Sequence, residues 1–483
     1  MNANPGLNMM TNINRFNFTV LLICFCCFSS NAQTTGLPTE GPGFYFNNFQ
    51  HYRGENVDSS MYFLRKLAEN PSYAGTLQDL VHNSFSQVFL DMWDTLVKDS
   101  LQKIEMKKNA VAGRVILKSM LSDTNIILVN SAKPIEFWTK AQANKDDVQV
   151  LNKLTNDFIQ TQLCEDIYEN RVGRYALLIY KVIEPKKELS KLAAQLLETT
   201  FQKIKSNLVD EDDLSWEMRE KKVWFKYMYA YANFLKANEL VKLQQENAAG
   251  KWYKTAADNS PNLADNQFKH AYFYDMVFLL GEEKETFRDD YFNYLIKVSK
   301  DKNEALRTLM SMALINPVYK EKLKSFYDST FTNQETFDAV WLKEVNKNAK
   351  PLLDFSLAKM DGTLFSTAGL NGKWALIDFW GTWCSPCRKE HPDLEKFYQS
   401  AMSTDSAHFI VLTIACKDNQ DRVTDYMKQN NYSFPVAMAD NEIENLYAIN
   451  SYPSKLLITP QGNYLVVPFG INWVEFIKQY AGL

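Results

Sequence analysis

Cysteine is scarce in this sequence, seven in 483 residues, and three of the seven (Cys24, Cys26 and Cys27) lie within the first 32 positions. A chain processed there keeps only Cys164, Cys384, Cys387 and Cys416, too few for a disulfide-stapled scaffold. Glycine (17) and proline (15) are also sparse, which excludes a fibrous or low-complexity chain. No long run of one charge sign occurs, and 53 basic residues stand against 57 acidic ones, so the electrostatic footprint of a nucleic-acid binder is missing. The five histidines (His51, His82, His270, His391 and His408) lack ligand spacing, and no second cysteine pair accompanies Cys384 and Cys387, which argues against structural zinc. Arg388 stands where covalent haem attachment needs histidine. No metal, nucleotide or other cofactor is expected.

Long apolar runs are missing too. The stretch Phe16 to Phe28 falls short of the roughly 20 residues that a membrane-spanning helix needs. Preceded by Arg15 and followed by Ser30-Asn31-Ala32 before Gln33, it reads as a cleaved secretory signal over residues 1–32. An uncleaved anchor is the alternative. A lipid-attachment signal fits less well, because Cys24 follows bulky Ile23 and Cys26 follows Phe25. The expected location is the periplasm or cell envelope.

What is present is enough apolar surface, 46% of residues against 23% charged, to build real cores, and enough length for two or three domains. Residues 33–56 carry Gly, Pro, Thr and Asn and read as a flexible arm. From Val57 to Asn346 helical spacing dominates: Leu189, Leu192, Ala193, Leu196 and Leu197 share one helix face, as do Phe85, Phe89, Trp93 and Leu96. The aromatic stretch from Trp216 through Trp224 and Phe225 to Tyr231 reads as core. About residues 230–262, Ala249, Tyr253, Ala256 and Pro261 match a single partial tetratricopeptide-like unit, so helical hairpins in an irregular solenoid or bundle are expected.

Near Lys350 the pattern changes to short β-type runs. The spacing predicts a hairpin (Leu352 to Leu357, turn at Asp361-Gly362, return to Phe365), strand Trp374 to Trp380, helix Ser385 to Met402, strand Phe409 to Ile414 and helix Gln420 to Asn430. It then predicts strand Phe434 to Ala437, helix Ile443 to Tyr447, strands Lys455 to Thr459 and Tyr464 to Val467, and helix Trp473 to Tyr480. The fold class is multidomain: a mostly α-helical region over 57–346 followed by an α/β domain over 347–483.

The chemistry sits in Trp383-Cys384-Ser385-Pro386-Cys387, a C-x-x-C at a strand-to-helix junction. Unpaired N–H groups at a helix start favour a thiolate, making Cys384 the expected nucleophile. Cys387, one turn on, is within disulfide reach and is the expected resolving thiol. Pro386 costs little in a first turn. Cys416 reads as a buried structural cysteine and Cys164 as a free thiol, with His391 at the surface.

The string Asp378 to Cys387 resembles the active site of the thioredoxin superfamily. The lead-in Pro351 to Lys373 with Cys387-Arg388-Lys389-Glu390-His391-Pro392 is similar to its exported TlpA/ResA-like branch, over about residues 350–483. The resemblance implies a thioredoxin fold and a helix kinked at Pro392. It implies a buried acid, Asp378, that relays a proton to the inner thiol, and a second acid, Glu390, near the disulfide. It also implies a cis-proline loop at Tyr452-Pro453, which with Trp383 would meet the substrate, although Tyr452 is larger than the residue usual there. The expected activity is thiol-disulfide oxidoreduction on a disulfide-bearing exported client protein, with a membrane thiol-electron donor as second partner. The rival reading is a helical binding or assembly module with an accessory thioredoxin-like domain.

Overall fold

The computed structural model describes residues 40–90, 100–208, 214–262, 265, 268–332, 335–405, 408–440, 442–468 and 471–483. The expected signal over 1–32 lies outside them, as do Trp93 and Leu96.

Polar caps start many of the helices that run from Pro42 to Lys347. Asn56, Asp147, Asp301 and Thr336 each accept a hydrogen bond from a backbone N–H one turn ahead, satisfying donors that a helix start leaves free. Part of the segment expected to be a flexible arm is instead the helix Pro42–Tyr52. Gly41-Pro42-Gly43 looks like a turn, but proline at a first helical position loses no bond, and Phe49 is fully buried in the first core. Leu189 to Leu197 bury the expected face, with Leu189 just ahead of the helix Ser190–Ser206. Phe85 and Phe89 are buried on a 3₁₀ turn. Of the aromatic stretch, Trp224 to Tyr231 are core, whereas Trp216 is 60% exposed.

Ala249, Tyr253 and Ala256 of the tetratricopeptide-like set lie on the second helix of a hairpin, Trp216–Lys242 followed by Glu246–Asp258, and Pro261 comes after that helix ends. Ala249 and Ala256 are buried there, and Tyr253 donates its hydroxyl to Asn238 Oδ1 at 2.7 Å.

Among the described residues the C-terminal α/β part holds eight short strands: β1 Lys350–Pro351, β2 Ser356–Ala358, β3 Leu364–Ser366, β4 Trp374–Trp380, β5 Phe409–Ala415, β6 Val436–Met438, β7 Ser454–Ile458 and β8 Asn463–Val467. Six form one sheet in the order β1-β8-β7-β4-β5-β6, while β2 and β3 form a separate hairpin. β4 pairs parallel with β5 and antiparallel with β7, and β5 pairs parallel with β6. The edge strand β1, antiparallel to β8, has no signal in the sequence, because two residues carry no periodicity.

Alternation along β4 decides what each side chain meets. Ala375, Ile377 and Phe379 face a core under the β2–β3 hairpin, whereas Leu376 and Trp380 face the core that holds Cys384 and Cys387. Asp378 has the parity of the second set and is buried.

That second core does not stop at Asn346. It includes Tyr291, Leu309 and Trp341 from the preceding helices together with Phe476 and Tyr480 of the last helix, Trp473–Ala481. Polar bonds cross the same seam: Trp341 Nε1 donates to the Tyr480 carbonyl at 3.2 Å, and Lys320 Nζ to the Gln479 carbonyl at 2.7 Å. Asn346 Oδ1 accepts from Thr459 and Asn463, each at 2.7 Å. No helix among the described residues is long and apolar enough to cross a membrane.

Candidate active site

At the C-terminal end of β4 the chain turns sharply into the helix Ser385–Asp405. The turn is pinned from the loop that follows β5. Cys416 N–H donates to the Trp380 carbonyl at 2.7 Å, Thr382 N–H to Asp418 Oδ2 at 2.6 Å, and Trp383 Nε1 to the Cys416 carbonyl at 3.1 Å. Glycine is required at the first position of this turn by close approach: a Cβ on Gly381 would lie 2.4 Å from Trp383 Nε1 and 3.0 Å from the Cys416 carbonyl.

Cys384 and Cys387 are joined as a disulfide, with sulfurs 2.04 Å and Cα atoms 5.3 Å apart. Cys387 N–H donates to Cys384 Sγ at 3.2 Å, so an otherwise unpaired first-turn donor is aimed at the outer sulfur. Cys384 is 4% exposed and Cys387 1%. The half-exposed Trp383 stands beside them at the rim, and the fully buried Trp380 lies within. Pro392 sits inside a helix that continues to Asp405.

The Tyr452-Pro453 peptide bond is cis. The Tyr452 ring meets Trp383 edge-on at 5.2 Å, and Lys417 Nζ lies 5.4 Å from the centre of the same ring. The expected substrate-facing residues Trp383, Tyr452 and Pro453 are therefore gathered at one end of the sheet with the cysteines.

The two expected acids are joined by a residue that the sequence reading missed. Lys455, directly opposite Asp378 in the β4–β7 register, places Nζ 3.2 Å from Asp378 Oδ1 and donates to Glu390 Oε2 at 2.5 Å. Burial pushes the Asp378 carboxyl up to about 6 against the pull of Lys455. Burial opposes charge on Lys455 as well, yet Asp378 and Glu390 together hold its ammonium above the ordinary lysine value. Glu390, Pro453, Lys455 and Trp473 line one shallow cleft, whereas Asp378 is buried. A lysine inside the apolar run Lys455 to Ile458 was the available signal, since a buried cation needs a partner.

His391 corrects the expectation of a surface histidine. It is 1% exposed, packs against Trp380 with ring centres 4.5 Å apart, and has Nδ1 2.9 Å from the Tyr426 hydroxyl. Four residues beyond Cys387, it falls on the buried face of the helix. Burial, and then the positive charge of Lys455, push it down to about 3, so it is neutral at physiological pH. Cys416 is fully buried and burial pushes its thiol up to about 12, so it stays protonated. Cys164 is exposed and far along the chain in the helical region. Among the described residues no cluster of metal-ligating side chains occurs.

Known proteins are similar to this part of the chain. Residues 346–459 match the Redoxin family model. The thiol-disulfide oxidoreductase ResA of Bacillus subtilis is 28% identical over 131 residues, which is 27% of this chain and 72% of that one. The sporulation thiol-disulfide oxidoreductase A of the same organism is 29% identical over 112 residues, 23% of this chain and 67% of that one. A thiol:disulfide interchange protein of the thioredoxin family from Chlorobium tepidum, known as a crystal structure, is 29% identical, with a TM-score of 0.25, over 27% of this chain and 94% of that one. Over its C-terminal segment the chain thus carries a Redoxin domain, and the curated relatives it matches there are named thiol-disulfide oxidoreductases.

Proposed function

We propose that this is an exported enzyme that reduces or exchanges disulfides in extracytoplasmic client proteins. The observation that carries the reading is the Cys387 N–H directed at Cys384 Sγ, at the start of a helix, where negative charge on the outer sulfur is favoured. Reduced Cys384 attacks a client disulfide as thiolate, one client sulfur leaves as thiolate, and a mixed disulfide forms. Cys387 then gives its proton to Asp378, directly or through water, and attacks Cys384. The second client sulfur leaves, and the Cys384–Cys387 disulfide results. Two electrons pass from enzyme to client. Glu390, at the mouth of the cleft, exchanges that proton with solvent.

The cis Tyr452-Pro453 bond and Trp383 form the edge against which an extended client segment would pair. Because the product is oxidised, a donor must restore the dithiol, and a membrane thiol-electron donor suits an exported enzyme. No metal or nucleotide enters these steps.

A Cys387→Ala variant tests the reading: it should accumulate mixed disulfides with exported proteins on Cys384, whereas Cys384→Ala should trap none. Failure to capture any client, together with wild-type protein inactive in insulin reduction, would favour a helical binding module with an accessory redox domain.

A further inference from the structure

Lys455 is the most deeply buried lysine in contact with the redox site, at 5% exposure, and it is held from four directions. Asp378 faces it from β4 and Glu390 from the helix that carries both cysteines. The Trp473 ring, 5.0 Å away, covers it from the last helix. Its own strand begins one residue after Pro453. Lys455 thus pairs with both acids and, through Glu390 and its own strand, links the helix that carries Cys387 to the cis-proline loop.

We propose that Lys455 is a positioning residue of the redox site, holding Asp378 ready to accept the Cys387 proton while tying the cysteine-bearing helix to the strand after Tyr452-Pro453. This rests on the reading of Asp378 as that proton acceptor. A buried carboxylate without a counter-charge protonates rather than remain ionised in a low-dielectric core. Lys455 supplies the counter-charge and shares it with Glu390, so each acid sets how much of the ammonium the other receives. The remaining titratable groups nearby do not compete: His391 is neutral, and the Cys416 thiol on the β5 side stays protonated.

The consequence is a pair of shifts in opposite directions. Replacing Lys455 by methionine removes the counter-charge, and the acid limb of the resolution step should move up by about 1–3 pH units. Replacing Glu390 by glutamine leaves the whole ammonium to Asp378 and removes a like charge, so the same limb should move down. Lys455→Arg, which keeps the charge, should stay near wild type.

The experiment is single-turnover reduction of insulin by the pre-reduced full chain across pH 4 to 9. It is paired with infrared detection of a protonated buried carboxyl, assigned by its loss in Asp378→Asn. At pH 7.5 that band should be present in Lys455→Met and absent in wild type. Coincident acid limbs in wild type and Glu390→Gln overturn the proposal, as does movement of both variants in one direction. Should Lys455→Met not fold, Glu390→Gln and Lys455→Arg still decide it. An inactive wild type whose Cys384 alkylates no faster than an ordinary thiol instead defeats the enzymatic reading itself.

Discussion

Asp378 and Lys455 face each other directly across antiparallel β4 and β7, with Nζ 3.2 Å from Oδ1 and both side chains at most 5% exposed. An ion pair so deeply buried makes the central sheet of the domain depend on charge as well as on packing. Its Coulombic gain is offset by desolvation, so the pair contributes less net stability than the loss of either member removes.

Lys455→Met alone should therefore cost about 3–5 kcal/mol at neutral pH, since Asp378, left without its counter-charge, must be protonated to stay buried. Asp378→Leu combined with Lys455→Met should recover most of that loss while abolishing the pH-dependent proton step. Urea unfolding followed by near-ultraviolet circular dichroism measures the first effect. Single-turnover kinetics measure the second. A double variant as unstable as the single one would show that the strands need this pair for packing and not for charge balance.

Gly381→Ala places a methyl group against Trp383 Nε1 and the Cys416 carbonyl, and the backbone carbonyl cannot swing away. The expected cost is about 1–3 kcal/mol, the usual scale of overpacking. Trp383 should leave its bond to Cys416, detectable as a changed Trp fluorescence, and disulfide exchange should slow. Unchanged fluorescence and rate would mean that the turn relaxes more freely than its hydrogen bonds imply.

The pH dependence of stability should contain two opposed contributions. His391 titrates at about 3 when folded against an ordinary 6.5, so the unfolded chain binds the extra proton and stability is lost as pH falls from 6.5 toward 3. Asp378 titrates at about 6 when folded against 3.8, so the folded chain binds the extra proton and stability is lost as pH rises from 4 through 6. Between pH 4 and 6 they cancel in part. His391→Phe keeps an aromatic ring among Trp380, Tyr426 and Phe434 and removes only the first contribution. Its stability relative to wild type should rise on acidification by up to about 1.4 kcal/mol per pH unit. Parallel stability curves for the two proteins would contradict a buried neutral imidazole.

Much of the C-terminal architecture was legible because its signals are local. The run Trp374 to Trp380 is nearly continuous in apolar residues, as a central strand buried on both faces must be, and β4 has those bounds. The turns at Asp361-Gly362 and Gln461-Gly462 put glycine where φ is positive. Where several structures suit the same letters, local reading went astray. Gly41-Pro42-Gly43 serves a loop or a helix start, and only the burial of Phe49 selects the helix. His391 follows the charged run Arg388-Lys389-Glu390, and its inward direction follows from the packing of Tyr426 and Phe434 against that turn.

The candidate site divides in the same way. Spacing alone determined that Cys384 and Cys387 lie one helical turn apart, because 3.6 residues per turn is a property of the backbone. It also determined that a strand ends and a helix begins there, and that Asp378 sits in the strand. Only the tertiary structure decided that Lys455, 65 residues beyond Glu390, stands between the two acids, and that Asp418 holds the turn before the cysteines. Strand register is set by the burial of whole faces and by connections of any length, so no local pattern specifies which lysine will stand opposite a given aspartate.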